Sequence, residues 1–283
     1  MTFSRSRICA VAILVLFVAT GSGCSLVGKV RAKNELNEAA KAYKEGHFED
    51  AEAHAKRALA LDPSNPTAPI FIARIIHQQY KPGVDAPDNI QKARDAINAY
   101  QQVLQNPASK EQAEEAYKAI SVLYSAIRDE TALRDWIMKR ANDPNQTNER
   151  RAEAYAILAG KDWDCSFKIT ELPEVKVTAG EGQVNYQKPK DPKDFDNIQR
   201  CVTRGLEEAE TAIKYDPNNE SAWSYKTNLL IEAAKIAKMN GEADKASQYE
   251  KQAEVAQKRA TALSEERRKQ EEAAEQAAGT PSP

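Results

Sequence analysis

Histidine, cysteine and carboxylate side chains are the groups on which hydrolytic, redox or metal chemistry would rest. Their spacing in this 283-residue sequence offers little of it. The three histidines are His47, His54 and His77. Helical periodicity puts His47 in a turn, His54 on one helix and His77 on another, and neither an HExxH nor a cysteine-rich zinc spacing occurs, so no shared metal site is expected. A CxxCH for covalent haem and a GxSxG elbow are also missing from the sequence. Glu49 with Asp50, and Glu114 with Glu115, are adjacent carboxylates of the kind that charged helix faces produce, and they read as solvated. Gly180 and Gly182 lack the strand-to-helix context and third glycine of a phosphate loop. The expectation is a non-enzymatic chain with no cofactor, no metal and no small-molecule substrate.

The cysteines carry a different chemistry. Arg5 and Arg7 precede an apolar run from Ile8 to Ala19, and Gly21, Ser22 and Gly23 lead into Cys24. The run is shorter than the roughly 20 residues a spanning helix needs, so it reads as a removable export signal over residues 1–23. The ending GSGC resembles a bacterial lipoprotein lipobox, although Gly21 stands where such boxes usually carry Leu, Val or Ile. The resemblance implies acylation of Cys24 after cleavage. Ser25 rather than Asp follows, which implies sorting to the outer membrane, facing the periplasm. Multiple acyl chains would hold the protein firmly. Cys9 leaves with the signal, so Cys165 and Cys201 remain as an even pair in an oxidising compartment and are expected to form a disulfide. Two buried thiols are the alternative.

The elements that must position any site are helices. The chain has 29% charged residues, 7% aromatic residues and only 11 glycines, a composition that favours long amphipathic helices over a sandwich or barrel. Residues 35–63, ELNEAAKAYKEGHFEDAEAHAKRALALDP, read as two helices meeting at one turn. Leu36, Ala39, Ala40 and Tyr43 keep helical period, Gly46 breaks it, Phe48, Ala51, Ala55, Ala58 and Leu59 resume it, and Asp62-Pro63 ends it. The spacing of Ala51, Ala55, Ala58 and Pro63 returns as Ala132, Trp136, Lys139 and Pro144, and as Gly205, Ala209, Ala212 and Pro217. Ala96, Tyr100, Val103 and Pro107 differ by one residue, and Ala246, Glu250 and Ala253 follow without a proline. Small residues at these places let antiparallel helices approach closely.

This pattern resembles the tetratricopeptide (TPR) repeat, without the tryptophan common in its first helix. The resemblance implies an all-α fold, a right-handed superhelical stack of about five TPR-like hairpins over 32–263. The hairpins span about 32 to 65, 66 to 107, 108 to 145, 147 to 217 and 218 to 258, after a short linker over 24–31. Pair two carries a connection, Tyr80 to Asp88, that two prolines and a glycine keep from being helical. The first helix of pair five exceeds the template by about two turns before Gly241. Residues 165–201 form the largest departure. Phe167 with Ile169, Val175 with Val177, and Val184 with Tyr186 alternate, and Ala179-Gly180-Glu181-Gly182 supplies a turn, so a small β-hairpin closed by the cysteines is expected. It either binds a partner or covers the apolar side of the stack. Residues 264–283 lose the apolar stripe and are expected to be helix fading into a charged, fraying or disordered tail.

Lys plus Arg number 40 against 42 Asp plus Glu, a net charge of -2 that falls to about -4 once Arg5 and Arg7 depart, so no electrostatic case exists for nucleic acid. In TPR proteins the first helices line a groove. The matching outward positions here are Asn37, Tyr43 and Lys44, then Phe71, Arg74, His77 and Gln78. Pair three adds Tyr117, Lys118 and Tyr124, pair four Arg151 and Tyr155, and pair five Tyr225 and Asn228. Each either contacts a partner or packs between helices. The Lys and Asn pattern of carboxylate clamps does not recur on them. The resemblance implies a membrane-anchored, non-catalytic scaffold for an envelope protein or peptide, serving assembly of an outer-membrane or secretion complex. The alternatives are a fixed structural subunit of a large membrane complex and, last, a cell-wall hydrolase.

Overall fold

A computed structural model describes residues 26–178 and 184–278. Three of its helical pairs close through one recurring turn. Helix α1 (26–44) turns into α2 (Phe48–Leu61), α5 (Lys110–Ala126) into α6 (Glu130–Ala141), and α9 (Glu220–Met239) into α10 (Ala243–Ala278). At each junction one residue takes the left-handed conformation: Gly46 at φ 80°, Arg128 at φ 56° and Gly241 at φ 73°. The next N–H then donates to a carbonyl five residues back, His47 to Ala42 (2.9 Å), Asp129 to Tyr124 (3.0 Å) and Glu242 to Ala237 (2.9 Å). This is the Schellman closure, which satisfies carbonyls the helix end would otherwise leave open.

A second turn recurs between pairs. Asp62-Pro63, Asp143-Pro144 and Asp216-Pro217 follow α2, α6 and α8 (Pro192–Tyr215). In each, the Asp side chain accepts from the backbone N–H two residues on, of Ser64 (3.2 Å), Asn145 (2.9 Å) and Asn218 (2.9 Å). Proline fixes the second position of such a turn, and the Asp mimics a backbone acceptor. The following helices are capped by Asn65, which accepts from the N–H groups of Thr67 and Ala68 before α3 (Ala68–Gln79), by Thr147 before α7 (Asn148–Thr170), and by Asn219 before α9. The connection in pair two runs from α3 to α4 (Pro87–Gln105) and folds around buried Asn89. Its side chain accepts from Lys81 N–H and donates to the carbonyls of Lys81 and Val84, each at 2.8 Å.

The chain divides into two compact units, residues 1–133 and 134–283. In the first, α2 lies on α3, α3 on α4 and α4 on α5. Ala39, Ala51 and Ala55 are fully buried and meet Ile72 and Ile75, with Tyr43, Phe48 and Phe71 sealing the edge. In the second, α7 packs on α8 and α9, and α9 on α10. Ala152, Ala156, Ala212 and Ala222 form one apolar layer, Ala159, Ala209 and Leu229 a second, Ile198, Val202 and Ala233 a third. A Cβ on buried Gly205 would stand 2.8 Å from a Leu229 methyl and 2.9 Å from the Asp162 Cβ, so this position of α8 admits only glycine without displacement. The chain is therefore an all-α set of TPR-like hairpins, interrupted by a two-stranded antiparallel sheet and closed by a Cys165–Cys201 disulfide with Cα atoms 6.2 Å apart.

Several expectations need correction. The part of the 24–31 linker that is described, 26–31, is already helix α1, because Gly28 and buried Ala32 let those turns lie against the end of α2. Phe167 and Ile169 are helical, not strand: α7 runs to Thr170, so both cysteines sit inside helices and the disulfide joins α7 to α8 across the base of the insertion. The strands are β1 (Lys176–Thr178) and β2 (Val184–Tyr186), with Lys176 opposite Tyr186 and Thr178 opposite Val184. In α6 the inward face is Leu133, Ile137 and Arg140, one residue past the Ala132, Trp136, Lys139 register, since the larger aliphatic side chains take the core. Helix α10 continues through Ser264 to Ala278, supported by Arg267 on Glu271 and Arg268 on Glu272 one turn ahead. The export signal, Cys24, the turn 179–183 and residues 279–283 lie outside the described residues.

The shared turn makes a paired prediction, since a β-carbon in the left-handed region costs about 1 kcal/mol. Urea unfolding should show Gly46→Ala destabilised by about that amount and Arg128→Gly stabilised by up to about 1 kcal/mol. A destabilised Arg128→Gly, or a Gly46→Ala that unfolds at the wild-type urea concentration, would refute the equivalence of the turns.

Candidate partner-binding surface

Successive first helices touch directly in the first unit, and that contact decides which side chains share a face. The Tyr43 ring of α1 meets Phe71 of α3 edge-on at 5.7 Å, and the Arg74 guanidinium of α3 grips the Glu115 carboxylate of α5 through two hydrogen bonds of 2.5 Å. Gln112 of α5 adds a bond to the Pro66 carbonyl at the entry to α3 (3.1 Å). Hydrogen bonds from Arg74 hold the Glu115 carboxyl below the usual carboxylate range. Glu115 is thus an ion-pair partner and not a free solvated carboxylate.

Asn37, Lys44, Arg74, Gln78 and Lys118 of these first helices are exposed, and Tyr43, Phe71, Tyr117 and Tyr124 are half-buried, with the Tyr117 hydroxyl itself buried. A row of half-sunk rings with a polar rim is the anatomy of surfaces that bind protein segments, because the rings offer rigid area and the rim offers hydrogen bonds. His77 turns away from it. Its Nδ1 lies 3.3 Å from the Tyr100 hydroxyl of α4, burial holds its pKa below the ordinary value, and burial pushes the Tyr100 phenol up to about 12. His77 is a packing residue of its own hairpin.

The second unit treats its candidates differently. Arg151 stacks over the Tyr215 ring at 4.1 Å while its Nε donates to the Ala141 carbonyl (2.9 Å). Tyr155 lies parallel to Tyr215 at 5.9 Å and donates to Asn142 (2.7 Å). Tyr225 seats on Gly160, where a Cβ would stand 2.5 Å from its ring, and flanks Trp163 at 6.3 Å. These three lock helices together. Asn228 is half-buried beside them. The histidines outside the face are ordinary pairs: His47 lies 3.7 Å from Glu45, and His54 lies 2.7 Å from Glu35, which Arg57 also reaches. Among the described residues no group of three His, Cys, Asp or Glu is placed to hold a metal ion.

Two buried ionic groups were not foreseen, because periodicity cannot tell a charge on a solvated face from one that the next helix will cover. In the first, Asp162 of α7 is 2% exposed and is held by Arg204 of α8 (2.8 Å) and by Arg134 of α6 (3.4 Å), while Arg134 also grips buried Glu208. Burial raises the Glu208 carboxyl to about 8 against the pull of Arg134, and the neighbouring Asp162 charge pushes the same way. In the second, Lys235 of α9 donates to Glu232 (2.7 Å), to Glu171 (2.9 Å) and to Thr170 (3.3 Å), and Thr170 donates to Glu232 (2.8 Å). The Tyr186 ring of β2 and the Phe167 ring of α7 close over the Lys235 ammonium at 4.8 and 5.4 Å. Burial works against that charge, but the hydrogen bonds that Glu232 and Glu171 accept from it outweigh burial and keep the pKa above the ordinary lysine value. The Tyr186 ring of the β-hairpin thus lies over a paired charge.

No family model matches the chain, and no curated protein matches it. Solved structures do. MamA aligns at 14% identity over 81% of this chain and 92% of its own, with a TM-score of 0.34. YrrB, described as a TPR protein with an unusual peptide-binding site, aligns at 14% identity over 78% and 88%, with a TM-score of 0.34. The TPR2AB domain of yeast Sti1 in complex with an HSP90 peptide aligns at 18% over 81% and 98%, with a TM-score of 0.29. Such low scores leave the fold assignment resting on the turns and small-residue contacts of the chain itself.

Removing one partner of a buried ion pair strands the other. Lys235→Met should cost about 3 to 5 kcal/mol in urea unfolding, and adding Glu232→Leu should restore most of it. A Lys235→Met cost under about 1 kcal/mol would contradict the closed network. Glu208 makes a pH prediction: a carboxyl raised in the folded state contributes stability that is complete below about pH 4.5 and is lost as pH rises towards 8. Glu208→Gln cannot ionise, so its melting temperature should fall less between pH 5 and 8 than that of the wild type. Equal slopes would show that Glu208 is ionised in the folded protein.

Proposed function

We propose that the protein is a non-catalytic scaffold, anchored to the outer membrane through an acylated Cys24 and facing the periplasm, that holds an envelope protein or peptide on the first-helix face of its first unit. The direct contacts of α1 with α3 and of α3 with α5 carry this reading. Asn37, Lys44, Arg74, Gln78 and Lys118 are exposed on these first helices, whereas Arg151, Tyr155 and Tyr225 are engaged in packing. The alternation of Lys44, Arg74 and Lys118 with Glu115 suits a segment of mixed charge, and the face lacks the repeated Lys and Asn of a carboxylate clamp. The export signal and the GSGC ending support the anchor. No helix among the described residues is long and apolar enough to cross a membrane.

Photo-crosslinking in intact cells tests the surface. A benzoylphenylalanine at Gln78 or at Lys118 should yield the same adduct, and one at Gln91 on the second helix of pair two should yield none. Adducts only from the β-hairpin, for example at Lys188, would move the site there. Fractionation tests the anchor: Cys24→Ser should shift the protein from the membrane pellet to the soluble periplasmic fraction, and unchanged sedimentation would count against acylation.

A further inference from the structure

Helix α1 begins with an amphipathic arc that no other described element covers. Leu26, Val27 and Val30 are 67%, 53% and 62% exposed. The opposite side of the same turns is committed: Ala32 is fully buried, and a Cβ on Gly28 would stand 2.9 Å from the Leu61 carbonyl oxygen of α2. At 3.6 residues per turn, Leu26, Val30 and Val27 fall within one arc of about 100°. Exposed Lys29 and Lys33 border it on one side, and exposed Arg31 borders it on the other. The first acidic residue of the helix is Glu35, so this end is locally cationic in a chain of net charge -2.

We propose that these turns of α1 lie in the surface of an anionic phospholipid bilayer, with Leu26, Val27 and Val30 among the upper acyl carbons and Lys29, Arg31 and Lys33 on the phosphates. Three aliphatic side chains flanked by long cationic ones are suited to that boundary, since the stems follow the apolar layer while the charges reach the headgroups. A protein partner fits less well. The arc has no aromatic anchor, and three side chains fall far below the roughly 1,200 Å² of a stable interface. The proposal rests on the membrane-anchored reading in one respect: a lipidated Cys24 is two residues before Leu26, a reach of about 7 Å, so acyl chains in the membrane bring the arc to its surface. The anchor then attaches to a rigid hairpin with no spacer, and the first hairpin is held against the bilayer.

The test uses the whole protein, extracted from membranes and reconstituted into vesicles of phosphatidylethanolamine and phosphatidylglycerol. An environment-sensitive nitrobenzoxadiazole label is placed at Val30→Cys or, as a control further along the helix, at Lys41→Cys. Emission at position 30 should rise at least twofold and shift to the blue, with no change at position 41 and unchanged helical circular dichroism. An aqueous label at position 30 in vesicle-bound protein would overturn the proposal while leaving the anchor standing. A rise at position 30 without lipid that grows with protein concentration would overturn it in favour of self-association. The Cys24→Ser protein separates the two readings. Added to the same vesicles it should still bind weakly, lose about a hundredfold in partitioning when Lys29, Arg31 and Lys33 all become Gln, and fail to bind neutral phosphatidylcholine vesicles. Binding that ignores the three cations would also overturn the proposal.

Discussion

The distance between paired helices governs this structure, and it is set by residues with nothing beyond Cβ. Ala39, Ala51 and Ala55 in the first unit, and Ala159, Gly205, Ala209 and Ala212 in the second, are buried where one helix crosses another. Each lets two backbones approach until the larger side chains of adjacent turns, such as Ile75 and Leu229, fill the remaining volume. A layer built this way tolerates little change in size at the contact and wide change everywhere else. That is why the alanine spacing persists through the chain while the outward faces differ from pair to pair.

Close approach also explains the charges inside the second unit. Once α7, α8 and α9 are brought together by small residues, any long side chain on the inner flank is trapped between them. Asp162, Glu208, Glu232 and Lys235 are trapped in this manner, and each is paired there: Asp162 and Glu208 with arginines of other helices, Glu232 and Lys235 with each other and with Thr170 of α7. Ion pairs of this kind add little net stability but make mispaired arrangements costly. The β-hairpin follows from the same constraint, because Tyr186 and Phe167 complete the shell around Lys235. The first unit, whose described core is apolar apart from Asn89 and whose pairs meet the surface at Arg74 and Glu115, leaves more side chains free to engage a partner.

The candidate face was legible in part. Arg74, Gln78, Lys118, Asn37 and Lys44 could be assigned to first helices by counting turns, since the helical period is local. Whether Tyr155 or Tyr225 would point to a partner or into a neighbour could not be counted, because Tyr215 and Gly160, which receive them, lie on elements brought near only by folding. The one-residue shift in α6 has a similar origin: Ala132 and Leu133 both fit the local pattern, and the volume available against the neighbouring helices selected leucine. Phe167 and Ile169 alternate as a strand would, yet the helix bonds of α7 continue through both of them to Thr170.

By itself the sequence determined the hairpin period, the Asp-Pro turns, the turns at Gly46 and Gly241 and the place of the insertion, because each depends on residues a few positions apart, while a count of cysteines left Cys165 and Cys201 as either a disulfide or two buried thiols. Tertiary structure alone decided which charges are buried, which aromatic rings are structural and which side chains of α1 are left uncovered. Those outcomes depend on the identity of the residue that arrives from another helix, because a side chain removed from water has only that neighbour left to satisfy its charge, its hydrogen bonds and its shape.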